Sequence, residues 1–182
     1  KYIKNYNKEG LNNVMPTIGV NTNNFRYLNL KKKYDVTFVG NPKYPLSGRY
    51  ELIKYLKDQG INIKVFGWGW GDFKDLKDIY GGPLSNKKLV ETINESKINI
   101  CFTKNHYGLP QIKGRVFEIS ACNSFLLTER CNDLLLFFKE GKEIIFFDDI
   151  KDLLSKIKYY LAEKDKSEII AKAAYNKTTS KY

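Results

Sequence analysis

The sequence is poor in the groups that much enzyme chemistry needs. One histidine, His106, occurs in 182 residues, and no serine or cysteine is arranged with it as a nucleophile–base pair, which argues against a triad. Three cysteines, Cys101, Cys122 and Cys131, form no CxxC pair and leave one thiol over in any disulfide scheme. Buried free thiols in a reducing compartment are expected, and with them a cytoplasmic protein. Asp148-Asp149 precedes a helix, where acidic residues usually serve as caps, so no metal is expected. No apolar run approaches the roughly 20 residues of a membrane-spanning helix; the longest, Leu134 to Phe138, is only core-sized. Lys1 to Gly10 is polar with no apolar segment behind it, so no secretory leader is read. The sequence opens on lysine rather than methionine, and a piece of a longer chain is expected.

Arginine is also scarce. Only Arg26, Arg49, Arg115 and Arg130 stand among 31 basic residues, although the net charge is +11. The lysines are scattered, with one short cluster at Lys31-Lys32-Lys33, and an A- and T-rich coding sequence would enrich lysine without any ligand. A nucleic-acid face, which needs a contiguous basic surface, is disfavoured. A phosphate-bearing small ligand or an anionic membrane surface fits the charge equally well. With 42% hydrophobic and 14% aromatic residues the chain has the material for one real core.

Residues 1–33 look like a connector, with Asn-rich turns around Val14 to Val20. Residues 34–182 form one domain of regular alternation. Asp35 to Val39 is a β-rich run, and a loop with two prolines leads to a helix from Arg49 that Gly60 stops. Ile61 to Phe66 alternates as a strand and breaks at Gly67-Trp68-Gly69-Trp70-Gly71. Ser85 caps a helix over about 86–96, and Ile98 to Phe102 is another strand. A helix over Val116 to Cys122, a strand over Ser124 to Thr128, a short helix over 133–139 and a strand over Glu143 to Phe147 follow. Two helices, 150–162 and about 166–177, complete the series. Strands alternating with helices predict an α/β fold, a parallel sheet covered on both faces. Ligands of such sheets bind at the strand carboxyl ends, where the loops after Gly40, Gly67 and Lys104 should gather.

These loops carry the candidate chemistry. Gly67 to Gly71 fails as a dinucleotide fingerprint, because the sixth position from Gly67 is Asp72 and from Gly69 is Lys74. The segment reads either as a tight turn with Trp68 or Trp70 closing the core, or as a loop lying against a ligand. Arg49 opens a helix behind a glycine-containing loop, where a forked cation and free N–H groups suit phosphate. Arg115 and Glu118 lie three apart on one helix face. Spacing alone favours an ion pair between them; the other reading gives Arg115 to a diphosphate and Glu118 to sugar hydroxyls.

One ordered run is more specific. Arg115-Val116-Phe117-Glu118-Ile119-Ser120-Ala121-Cys122, Phe125-Leu126-Leu127-Thr128 and Phe138-Lys139-Glu140-Gly141-Lys142-Glu143-Ile144 resemble the C-terminal domain of group 1 glycosyltransferases, in the branch of CgeB-like proteins. Upstream, Tyr34 to Gly40 with Arg49 resembles that domain's first strand and helix, and Pro16 to Thr22 its interdomain linker. The resemblance spans residues 14–178. It implies a Rossmann-like domain, the C-terminal half of a GT-B fold, that binds a nucleoside-diphosphate sugar without a metal or other cofactor and transfers the glycosyl group with retention. It gives Glu118 to the ribose hydroxyls and Arg115 and Arg49 to the surroundings of the diphosphate. Gly40, Asn41, Gly67, Trp68, Tyr107, Gly108 and Lys113 complete the expected donor site. The acceptor-binding half is implied in a missing N-terminal domain, of which residues 1–14 would be a remnant. A lipid or polysaccharide acceptor would fit a protein at the membrane surface. The final helix that crosses back to that domain is expected beyond Tyr182. Asn123 stands where the family usually has glycine, so an altered turn is expected after the Arg115 helix.

Overall fold

Each predicted strand is a run of branched and aromatic side chains too apolar to face water. The computed structural model describes residues 8–11, 18–42 and 48–181 and joins these runs into one sheet. Tyr34–Val39 (β1), Ile63–Phe66 (β2), Ser96–Cys101 (β3), Leu126–Glu129 (β4) and Ile145–Phe147 (β5) lie in the order β2-β1-β3-β4-β5. All neighbours are parallel, with Val36 opposite both Ile63 and Ile98 and Ile100 opposite Leu127. The connecting helices are Arg49–Asp58 (α1), Asn86–Glu95 (α2), Gly114–Ala121 (α3), Ile150–Ala162 (α4) and Lys164–Lys181 (α5).

Parallel strands need cover on both sides, and the helices divide accordingly. Ile53 and Leu56 of α1 and Leu153 and Ile157 of α4 pack with Val36, Phe38, Ile98 and Ile100 on one face. Leu89, Val90 and Ile93 of α2, Val116, Phe117 and Ile119 of α3, and Ala174 of α5 fill the other. The α/β, Rossmann-like architecture expected from the alternation is therefore present.

Several boundaries move for identifiable reasons. β2 begins at Ile63 because the Ile61 N–H bonds the Leu56 carbonyl at 3.1 Å, closing α1 behind Gly60. β5 begins at Ile145 because Glu143 and Ile144 turn their N–H groups back to the Lys139 carbonyl. The short helix expected over 133–139 is a 3-10 segment, Asn132–Leu136. The last helix is longer than expected, Lys164–Lys181. The remnant and linker readings for residues 1–7 and 12–17, and the loop prolyl residue Pro45, lie outside the described residues.

The described part of the connector is fastened to the domain. Ile18, Val20, Phe25 and Leu28 pack against the second apolar cluster. Buried Asn94 on α2 accepts from the Leu28 N–H at 2.8 Å and donates to the Arg26 carbonyl at 3.1 Å.

The turn after α3, expected to be altered by the asparagine, is a regular left-handed helix end. Asn123 adopts φ 51°. Its N–H bonds the Ser120 carbonyl at 3.0 Å and the Ser124 N–H reaches the Ile119 carbonyl at 3.4 Å, the paired bonds of a Schellman motif. Asparagine is the residue other than glycine that most readily takes this left-handed position. All three cysteines are buried and free; burial pushes the Cys101 thiol up to about 11 and that of Cys122 to about 12.

Asn123→Gly is expected to leave the fold intact with equal or higher Tm. Asn123→Ala should cost about 1 kcal/mol, since a Cβ without a compensating side chain is strained there. That loss corresponds to about 2–4 °C in a thermal melt of a chain this size.

Candidate functional site

From β1 the chain passes to β2 on one side, and it returns to β3 on the other. The loops following β1 and β3 therefore diverge and leave a crevice at the carboxyl edge. α1 and α3 both start at this edge, and their starts differ from those of α2 and α4. Ser85 caps α2, and Asp149 accepts from Lys151 and Asp152 at the head of α4. Gly48 precedes α1 and Lys113 precedes α3, and neither helix has a side-chain cap. Among the described residues no side chain takes the first N–H groups of either helix, which leaves them, with the positive end of each helix dipole, able to meet an anion.

Arg49 ties the crevice together. It is 6% exposed, and its two terminal nitrogens donate to the Asn41 carbonyl at 3.0 Å and the Lys104 carbonyl at 3.2 Å. The rings of Phe38 and Phe102 lie about 6 Å from the guanidinium carbon. Arg49 therefore spans the switch point and holds the two loops at a fixed separation. It puts a buried positive charge there through its field rather than through an exposed fork.

The next loop is fixed by a residue that sequence reasoning passed over. Glu129, at the end of β4, accepts from the Thr103 and Lys104 N–H groups, each at 3.0 Å. Its other oxygen pairs with Lys104 Nζ at 2.7 Å. The only sign of this in the sequence is a carboxylate directly after Leu126-Leu127-Thr128, where an apolar strand ends in a charge. Beyond it, Asn105 Oδ1 accepts from the Tyr107 and Leu109 N–H groups and shapes the Tyr107-Gly108 turn. Tyr107 is 68% exposed and its ring lies 3.8 Å from that of His106.

On the other side, the glycine–tryptophan loop divides its two indoles. Trp70 is fully buried and donates from Nε1 to the Gly40 carbonyl at 2.7 Å. Trp68 is 74% exposed. Gly67, at φ 118°, lies so close to Gly40 that a Cβ would meet the Gly40 oxygen at 2.6 Å, which forbids any larger residue. Both sequence readings of this loop thus have a part: Trp70 closes the core, and Trp68 stands free at the edge.

Lys113 and Arg115 bring further positive charge. Burial and then the neighbouring charge of Arg49 hold the Lys113 ammonium below the ordinary lysine range, so the two cations share one field. Arg115 Nη1 pairs with Glu118 Oε2 at 2.7 Å, as the spacing alone suggested. Both line a cavity of about 760 Å³ between α2, α3 and residues Asn23 to Leu28. The structure therefore groups Gly40, Asn41, Arg49, Gly67 and Trp68 in the loops after β1 and β2, and it sets Tyr107, Gly108 and Lys113 in the loop after β3, while Arg115 and Glu118 line a cavity that none of the other expected residues enters. Arg49 joins the β1 and β3 loops. Among the described residues no group of three His, Cys, Asp or Glu side chains could hold a metal ion, and no helix is long and apolar enough to cross a membrane.

The profile of the family described as Glycosyl transferase-like matches residues 49–182, from Arg49 through α5. This chain belongs to that family. No curated protein matches the sequence. The glycosyl transferase-like domain shares its fold with sucrose-phosphate synthase from Thermosynechococcus elongatus. That match has a TM-score of 0.70 at 12% identity, over 97% of this chain and 51% of that one. Anabaena Alr3699/HepE, in complex with UDP and glucose, gives 0.69 at 12% identity, over 90% and 51%. The C-terminal domain of a group 1 family glycosyl transferase, LpcC, from Francisella tularensis gives 0.65 at 16% identity, over 90% and 98%. The domain thus spans about half the length of the first and second of these proteins and nearly all of the third, an isolated C-terminal domain.

Arg49→Met is expected to lower stability by about 2–4 kcal/mol, since two hydrogen bonds from a charged donor disappear from a buried position. Arg49→Lys should recover only part of the loss, because an ammonium lacks the fork that spans two carbonyls. Urea denaturation with an unchanged m-value measures both.

Proposed function

We propose that this domain is the donor-binding half of a GT-B glycosyltransferase of the CgeB-like branch. The observation that carries the reading is the pairing, at one switch point, of two uncapped helix starts with a cluster of basic side chains. A diphosphate needs both: N–H donors for its oxygens and positive charge close to them. Lys113 and Arg115 supply direct contacts, while Arg49 acts from behind the loops. Glu118, two-oxygened and set one helical turn from Arg115, accepts the ribose hydroxyls. UDP is the first nucleotide to consider, in view of the ligand held by Alr3699/HepE.

In the transfer step the bond between the anomeric carbon and the β-phosphate oxygen breaks, and negative charge collects on the departing diphosphate. The helix starts and cations are aimed at that charge before it develops, which is how preorganised electrostatics lowers a barrier. The acceptor oxygen forms the new bond and loses its proton, with retention of configuration. This domain supplies no acceptor site in the reading. A second, N-terminal domain does so, and the domain alone binds donor but transfers little or nothing. The reaction runs without a metal, in the cytoplasm or at the membrane surface, toward a lipid or polysaccharide acceptor.

A thermal-shift series with UDP-, GDP-, ADP- and CMP-sugars tests the donor site. At ten times Kd the matching nucleotide should stabilise by about 1.4 kcal/mol, a Tm rise of about 3–5 °C. Glu118→Ala should remove most of that rise, read against the variant's own ligand-free Tm, because losing an ion pair whose side chains are only 27% and 26% exposed itself lowers stability. An unchanged rise in Glu118→Ala would remove Glu118 from the site.

A further inference from the structure

The lysines that look scattered along the sequence converge at the edge of the sheet opposite the crevice. Residues preceding β1 and β4, Lys97 at the start of β3, and the junction of α4 with α5 enclose a cavity of about 700 Å³. Lys31, Lys32, Lys97, Lys164 and Lys172 line it, with Glu168 as the one acidic residue in its wall. Two of the five ammonium groups are answered by carboxylates: Lys97 by Asp35 at 2.6 Å and Lys164 by Glu168 at 3.4 Å. Among the described residues, Lys31, Lys32 and Lys172 have no carboxylate within ion-pair distance; Lys172 lies over the Tyr175 ring at 4.8 Å, and Lys32 feels Glu168 only from further off, so positive charge exceeds negative around the hollow. Lys32 donates only to the Asn94 carbonyl, at 2.9 Å, and burial lowers its pKa.

Like charges gathered at a partly enclosed surface repel one another, and water screens them less there than on an open face. An anion with two or more negative oxygens relieves that repulsion and takes several charge-assisted hydrogen bonds. The rest of the wall is apolar: Phe125 and Tyr160 lie with ring centroids 4.6 Å apart beside Leu161. We infer that this cavity is a second binding site, for an organic phosphate whose phosphoryl oxygens meet the lysines while its carbon skeleton rests on Tyr160 and Leu161. The site lies across the sheet from the crevice and shares no residue with it, so it stands whether or not the donor reading holds. Two sources offer this chemistry, a soluble phosphate ester and the headgroup of an anionic lipid.

Inorganic pyrophosphate is the first probe, measured by calorimetric titration on a Lys113→Gln/Arg115→Gln background that weakens the crevice. Binding should persist there, and adding Lys31→Gln/Lys172→Gln should weaken it about tenfold. These exposed side chains lie outside the apolar clusters, so the variants are expected to melt with the parent, and the melt is the control for folding. No binding on the crevice-weakened background, or binding indifferent to Lys31 and Lys172, overturns the site. Sedimentation with vesicles of one part phosphatidylglycerol to three parts phosphatidylcholine then separates the sources. Lysine-dependent capture on vesicles assigns a lipid headgroup. Lysine-dependent pyrophosphate binding with no capture assigns a soluble phosphate ester.

Discussion

The buried fork of Arg49 is the constraint on which the carboxyl edge depends. A doubly wound sheet separates the loops after its two central strands and provides no backbone contact to keep them in register. Here one guanidinium does so, donating to the carbonyls of Asn41 and Lys104 from between two phenylalanine rings. The adjacent contacts extend the arrangement on both sides. Trp70 fastens the β2 loop to Gly40, and Glu129 fastens the β3 loop to the end of β4. Four loops are thereby fixed relative to one another by side chains that no ligand has to touch.

This arrangement also separates two roles that one cation cannot fill at once. A guanidinium committed to two carbonyls is rigid and keeps its full charge, but both of its terminal nitrogens are already engaged. Lys113 and Arg115 lie further out and retain donors that can turn toward a ligand. Burial, and after it the charge of Arg49, holds the Lys113 ammonium below the ordinary lysine range, so the two layers share one field. Positive potential at the site is therefore built into the fold, and contact is left to the outer residues.

Most of the fold was legible in the sequence, because alternating strand and helix patterns constrain a parallel sheet to few topologies. Boundaries were less so where a cap competed with a strand: Ile61 looks like a strand residue, yet its N–H closes α1. At the site, the pairing of Arg115 with Glu118 followed from helical spacing, and the division of labour between the two tryptophans did not. Nothing local distinguishes Trp68 from Trp70; the difference is set by Gly40, 30 residues upstream of Trp70. Glu129 was invisible for the same reason, since its partners Thr103 and Lys104 belong to another strand's loop. Asn123 shows the opposite case, where an asparagine makes the left-handed helix end that glycine most often makes.

The divided indoles have an optical consequence. Trp70, fully enclosed and hydrogen-bonded to a carbonyl, should emit toward the blue and be shielded from aqueous quenchers; it reports whether the β1 and β2 loops remain joined. Trp68, two residues away and open to solvent, should emit toward the red and respond to whatever settles at the rim. The domain therefore carries two intrinsic fluorophores in one loop, one sensitive to its integrity and the other to its occupancy, and a quencher such as iodide can distinguish them without any label.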